Sequence, residues 1–277
     1  MKIDLLFVPV GASYTQLRDA SLAAEETGFD GVWTWDHLRD PANAGAPVPE
    51  ALATLAGLAE ATQRITLGPL VLNVASRHPG LLANMAATIQ QVSRGRFVLG
   101  LGAGANRKLP YAAEQEMLGI DIDPDAARAQ RVVEAIEVLR RLWRGDGGDF
   151  TGEHYRLVKP SGYLRPDPPP PIVVAGFGPR MAEIAGRCAD GFNTQARHPQ
   201  LAELVARARE AHARAGRDPA RFLVSVFGAF QEAWLRPDSH HRVAMARVGV
   251  DRLMMLVEPP FDLKQIRGVE KLLSSAH

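Results

Sequence analysis

The side chains able to do chemistry fall in a few short runs. Trp33-Thr34-Trp35-Asp36-His37 sets a carboxylate beside an imidazole, the group whose unperturbed pKa, about 6.5, suits proton transfer near neutrality. The bland reading makes Asp36 a turn residue and His37 a satisfied loop group. Leu67-Gly68-Pro69-Leu70-Val71-Leu72-Asn73 leads into Ser76-Arg77-His78-Pro79. Here the plain reading is a helix start with Ser76 as local cap, yet Asn73 remains a polar amide at the end of an apolar run, where a heteroaromatic edge would satisfy it. Leu99-Gly100-Leu101-Gly102-Ala103-Gly104-Ala105-Asn106 carries alternate glycines, which either admit a flat ligand to the backbone or relieve crowding in a tapering barrel. Ala175-Gly176-Phe177-Gly178-Pro179-Arg180-Met181 is a glycine-rich turn feeding a proline-started helix, with free N–H groups and Arg180 at its positive end: a phosphate site. Ala189-Asp190-Gly191-Phe192-Asn193-Thr194 closes the set, with Asp190-Gly191 readable as a simple turn.

Each run follows an apolar segment, and those segments alternate with helical patterns. Strands are expected at 3–9, 31–35, 65–72, 97–101, 172–175, 191–194, 222–227 and 252–257. Helices are expected at 14–27, 50–62, 79–93, 125–143, 179–188, 199–215, 240–248 and 261–273. Strand–helix alternation predicts an α/β fold, a single (β/α)8 TIM barrel over residues 1–277, with insertions after strand 4 and before strand 5. An open doubly wound sheet would leave two edges to protect, and no G-x-G-x-x-G opens a helix. Gly68-Pro69 sits badly in a buried strand, so a bulge or irregular bond is expected there. Barrel sites lie at the strands' C-terminal ends, where these runs fall. Alternation along a strand keeps Asp36 and His37 from both pointing inward.

Composition removes several classes. The 277 residues are 46% hydrophobic and 23% charged, and 32 Lys+Arg against 31 Asp+Glu leave a net charge of +1, so nucleic acid is not expected as a partner. Cys188 is the one cysteine, which excludes an internal disulfide and an all-cysteine metal site. With no signal-like or membrane-length apolar segment, a cytoplasmic protein without membrane contact is expected. Lys2, Lys108, Lys159, Lys264 and Lys271 are the only lysines, and only Lys108 lies near a strand end, which argues against Schiff-base chemistry. His240-His241 diverge on a helix, no H-x-H occurs, and no metal site is expected. Glycosidase chemistry wants two carboxylates at strand ends, where only Asp36 and Glu258 stand out.

Taken in order, Trp35-Asp36-His37, Gly68-Pro69 through Asn73 to Arg77-His78-Pro79, Ser93-Arg94-Gly95-Arg96-Phe97 through Gly104, and Ala189-Asp190-Gly191-Phe192-Asn193 resemble the bacterial luciferase-like family, and within it the coenzyme F420-dependent oxidoreductases most. The resemblance covers nearly the whole chain. It implies a barrel holding a deazaflavin at the strand mouths, with Asp36 and His37 as acid and histidine beside the ring and a non-prolyl cis peptide at Leu70-Val71 backing it. It also implies ring contact from Asn73 and a phosphate loop at Gly176, Phe177, Gly178, Pro179 and Arg180, near Asn193. Ala103 and Gly104 border the ring, and Arg107, with Arg77 and Lys108, is a candidate for the cofactor's anionic tail. The implied reaction is hydride transfer between C5 of F420 and a small organic substrate, in a homodimer, with a separate reductase as a possible partner. An FMN-dependent two-component monooxygenase keeps the same fold and phosphate loop; a non-catalytic flavin-binding barrel is the third reading. Ala105 stands where some F420-dependent sugar-phosphate dehydrogenases carry a glutamate, which counts against sugar-phosphate oxidation. The excursions 107–124 and 144–171 are expected to form the lid.

Overall fold

The computed structural model describes residues 1–43 and 45–274. Its strands are β1 (Lys2–Phe7), β2 (Gly31–Thr34), β3 (Thr66–Pro69), β4 (Leu72–Asn73), β5 (Leu99–Gly102), β6 (Phe150–Thr151), β7 (Arg156–Leu157), β8 (Ile172–Ala175), β9 (Gly191–Gln195), β10 (Leu223–Ala229) and β11 (Arg252–Val257). The helices are α1 (Tyr14–Thr27), α2 (Ala51–Ala61), α3 (Pro79–Val92), α4 (Ala112–Met117), α5 (Asp125–Arg144), α6 (Pro179–Cys188), α7 (Leu201–Arg214), α8 (His240–Val248), α9 (Leu263–Gly268) and α10 (Glu270–Ser274). Local signals explain the ends. Ser13 and Gln16 form a capping box before α1, and left-handed Gly28 stops it. Before α3 the cap is His78, whose Nδ1 accepts from the Gly80 N–H, rather than Ser76. No described helix is long and apolar enough to cross a membrane.

Nine strands join in the order β3-β2-β1-β11-β10-β9-β8-β5-β4, every pair parallel. The expected third strand is split: β3 and β4 are halves of one barrel stave, separated by Leu70 and Val71, whose peptide bond is cis. The nine strands therefore make eight staves. The ring closes through this stave, since β3 pairs with β2, β4 pairs with β5, and Leu67 bridges Phe97.

Alternation sorts the strand residues into two environments. Ile3, Leu5 and Phe7, Val32, Leu99 and Leu101, Ile172 and Val174, Val224 and Val226, and Leu253 and Met255 face outward into the main core shared with the helices. Leu6, Trp33, Leu70 and Met254 form a second, inner cluster. At its base Asp4, fully buried, takes the Arg252 guanidinium at 2.7 Å and the Trp33 indole N–H at 2.7 Å. Trp33 fits because position 68 is glycine: a Cβ there would lie 2.4 Å from the indole. A Cβ on Gly102 would likewise lie 2.6 Å from a Val71 methyl, and one on Gly100 2.1 Å from the Pro69 carbonyl oxygen. The strand glycines thus make room for the split stave, the crowding alternative of the two their pattern allowed.

Candidate functional site

The inward positions at the strand C-termini are partly exposed and set the floor of the barrel mouth: Trp35, Val71, Ala175, Gln195, Phe227 and Leu256. Trp35, Val71, Phe227 and Leu256 pack on the inner cluster, so the floor is apolar. Phe177, 58% exposed beyond β8, meets Phe227 edge-on with ring centroids 6.3 Å apart. Asn193 lies one layer deeper, fully buried, donating to Ser225 Oγ at 2.9 Å. Gln195, two residues on along the same face, is the exposed member of the pair, because inward-facing parity does not fix depth in a barrel.

Asp36 and His37 part company as alternation requires. Both Asp36 oxygens receive the Arg77 guanidinium at 2.7 Å, and one also accepts the Asn73 N–H at 3.0 Å. Burial pushes the Asp36 carboxyl above the usual carboxylate range, against the pull of Arg77. Desolvation works against the charge on Arg77, but Asp36 and Glu50 outweigh it and raise its pKa. Asp36 thus anchors the end of β2 to Arg77, and Arg77 in turn is held by both Asp36 and Glu50. His37 stays at the mouth. Its ring meets Trp35 edge-on at 5.3 Å, stacks on Tyr111 at 4.0 Å, and brings Nδ1 within 3.1 Å of both Glu114 oxygens.

Tyr111 and Glu114 come from the segment after β5, in and just before the short α4. Gln115, next to Glu114, accepts from the Asn73 amide at 3.0 Å, while Asn73 Oδ1 accepts from the Ala75 N–H. Asn73 so fastens α4 to the loop after β4, and its amide finds both partners within the protein. Arg128 of α5 donates to the carbonyls of Ala103 and Gly104, which fixes the chain leaving β5. Arg107 is exposed, with a long contact of 3.4 Å to the Ile122 carbonyl. The second excursion behaves differently: Glu134 of α5 accepts from the backbone of Glu153, His154 and Tyr155, holding the β6–β7 hairpin to the flank. Tyr155 of this hairpin donates to the Val74 carbonyl, just beyond β4, at 2.9 Å.

At the far side, Gly178 caps α6 without a side-chain hydrogen bond and Pro179 opens the helix. Nothing lies within 4 Å of the place a Gly178 Cβ would take, and Arg180 beside it is exposed. First-turn N–H groups, a clear approach and a cation suit an anionic group. Gly176 is closed by contrast, because a Cβ there would strike Met181.

Sequence reasoning missed Tyr111, Glu114, Gln115 and Gln195. Glu114 and Gln115 carry no sequence signal of their burial on the six-residue α4, and nothing local says which strand end they cover.

A family model described as luciferase-like monooxygenase matches residues 6–244. A curated F420-dependent glucose-6-phosphate dehydrogenase of Nakamurella multipartita is 37% identical over 189 residues, 68% of this chain and 54% of that protein. Its counterpart in Mycobacterium avium is 37% identical over 180 residues, 64% and 52% of the two chains. The chain thus spans about half the length of the curated relatives it matches. Among solved structures, an F420-dependent secondary alcohol dehydrogenase in complex with an F420-acetone adduct superposes with a TM-score of 0.86 at 20% identity, covering 100% of this chain and 99% of that one. A coenzyme F420-dependent tetrahydromethanopterin reductase of Methanopyrus kandleri gives 0.77 at 19% identity, covering 99% and 98%.

Proposed function

The chain belongs to the luciferase-like monooxygenase family, and from that premise we propose that it is a coenzyme F420-dependent oxidoreductase acting on a small organic substrate bearing a hydroxyl or carbonyl group. The curated relatives that match over two thirds of the chain carry this cofactor in their names, which supports bringing it here. The observation that carries the reading is the make-up of the mouth. An apolar floor of Trp35, Val71, Phe227 and Leu256 lies under an ionisable side chain, His37, whose Nε2 has no hydrogen-bond partner among the described residues.

The residues present fit a planar, phosphate-bearing cofactor. The open α6 N-terminus at Gly178 and Pro179, with Arg180, would hold the phosphate, and the apolar floor would carry the ring. When bound, the deazaflavin supplies hydride chemistry at C5. The protein's part is to exclude water, orient the substrate and move the accompanying proton. In the oxidative direction His37 Nε2 would take the substrate O–H proton, while the bound cofactor would supply the hydride acceptor and a carbonyl would be the product. In reduction His37 returns that proton. Ala105 leaves no carboxylate directly after Gly104, and exposed Phe177 beside the mouth favours a substrate less polar than a sugar phosphate.

Fluorescence titration of the purified protein with F420 and with FMN is the test, followed by turnover of a series of small alcohols and ketones beside glucose 6-phosphate. Saturable F420 binding with alcohol-dependent cofactor reduction is expected. Binding of FMN alone would replace the proposal with a flavin-dependent reaction.

A further inference from the structure

We propose that Glu114 is the positioning residue for His37: carried on α4, it holds Nδ1 protonated and so leaves Nε2 as the ring's basic nitrogen. The choice of Nε2 as the reacting atom rests on the F420-oxidoreductase reading, but the tautomer does not. Both carboxylate oxygens lie 3.1 Å from Nδ1, across 77 residues of sequence. An ionised carboxylate only accepts hydrogen bonds, so the hydrogen of this contact belongs to Nδ1, and a neutral ring then carries its lone pair on Nε2. The ring is held on two further sides, by the Tyr111 face and the Trp35 edge. Glu114 is itself anchored. Its side chain is 10% exposed, and Oε1 also accepts from the Arg39 N–H at 3.4 Å.

The carboxylate nearer in sequence does not compete, because Asp36 faces Arg77. Position 105, the alternative place for a carboxylate, is alanine. The His–carboxylate pair is therefore assembled between the barrel and its lid: His37 follows β2, Glu114 rides on α4, and the Asn73–Gln115 hydrogen bond locks α4 down. A histidine whose second nitrogen is tied to a carboxylate is a better-oriented base than a free one, and at metal-bound histidines loss of such an outer partner costs about 10- to 100-fold, the scale taken here.

The test begins on the protein without cofactor. With 15N-labelled histidine, the His37 ring resonances are assigned by their disappearance in His37→Gln. In the wild-type chain at alkaline pH the protonated nitrogen is expected to be Nδ1. In Glu114→Ala the ring is expected to become a mixture of tautomers, with thermal unfolding and circular dichroism confirming the fold. An Nε2-protonated ring in the wild type, or an unchanged tautomer in Glu114→Ala, overturns the proposal. If Glu114→Ala does not fold, the isosteric Glu114→Gln is read by kinetics with F420. A kcat lower by about 10- to 100-fold with KM little altered is expected, and an unchanged kcat overturns the proposal. An Nδ1-protonated ring in a protein that never binds F420 would leave this proposal standing and remove the reaction assigned above.

Discussion

Arg77 grips Asp36 with two hydrogen bonds of 2.7 Å, one from each terminal nitrogen to each carboxylate oxygen, in a pair whose Asp36 side chain is 3% exposed. This fork joins the end of β2 to the loop before α3, and so fixes the height at which His37, one residue on, leaves the barrel. Its bidentate geometry is specific to arginine.

Arg77→Ala should therefore destabilise the protein by about 3 kcal/mol near neutral pH, the low end for breaking a buried pair, because the abandoned carboxylate can take up a proton. Burial already raises the Asp36 carboxyl, and without Arg77 it rises further. A carboxyl raised in the folded state favours folding most at low pH and loses that advantage as pH rises through its folded value. The deficit of the variant should accordingly grow from acid to neutral pH in urea unfolding, and Arg77→Lys should recover only part of it.

Glu134 carries the opposite sign. Burial works against its charge, but the N–H groups of His154, Glu153 and Tyr155 outweigh that and hold its carboxyl below the usual 4.5. Its contribution is complete above that value and disappears as pH falls through the lower folded one. Glu134→Gln should cost about 1–3 kcal/mol at pH 7, the gap to wild type should close below pH 4.5, and hydrogen exchange should speed up in the β6–β7 hairpin.

Gly68→Ala places a methyl 2.4 Å from the Trp33 indole and 2.5 Å from the Val98 carbonyl oxygen. The indole is pinned by its bond to Asp4 and the oxygen is backbone, so neither gives easily. A loss of about 1–3 kcal/mol is expected in thermal unfolding, an overpacking cost at a position that is glycine for space.

Arg180→Ala should weaken F420 binding by about tenfold, as expected for one charge-assisted hydrogen bond to a phosphate of at least 1.4 kcal/mol, and leave stability unchanged because the side chain is exposed. Titration against increasing salt checks it: the wild-type affinity should fall more steeply than the variant's.

Sequence patterns located the strand ends closely. The expected 172–175 and 252–257 strands and the 14–27 and 179–188 helices coincide with β8, β11, α1 and α6. These segments carry their own boundary signals, such as the Ser13–Gln16 capping box and Pro179 at the start of α6. The interrupted third stave was legible too, because a proline cannot donate to a ladder. Asn73 and Arg77 have partners within the protein that no local pattern announces: Gln115 for the first, Asp36 and Glu50 for the second. A polar side chain at a strand mouth satisfies itself on whichever partner is nearest, and those partners are set by the paths of distant loops.

Period-two alternation and turn chemistry act over a few residues, so the barrel, its inward and outward faces, and the strand ends that carry the mouth were readable from residue order. That order also requires Asp36 and His37 to diverge. Which of them stays at the mouth, how deep Asn193 lies, and that the glycines of β5 accommodate Pro69 and Val71 follow from packing between distant segments. The tertiary structure alone brought Glu114 to His37, because a contact across 77 residues depends on where an excursion folds back over the barrel, a matter of packing that no local pattern encodes.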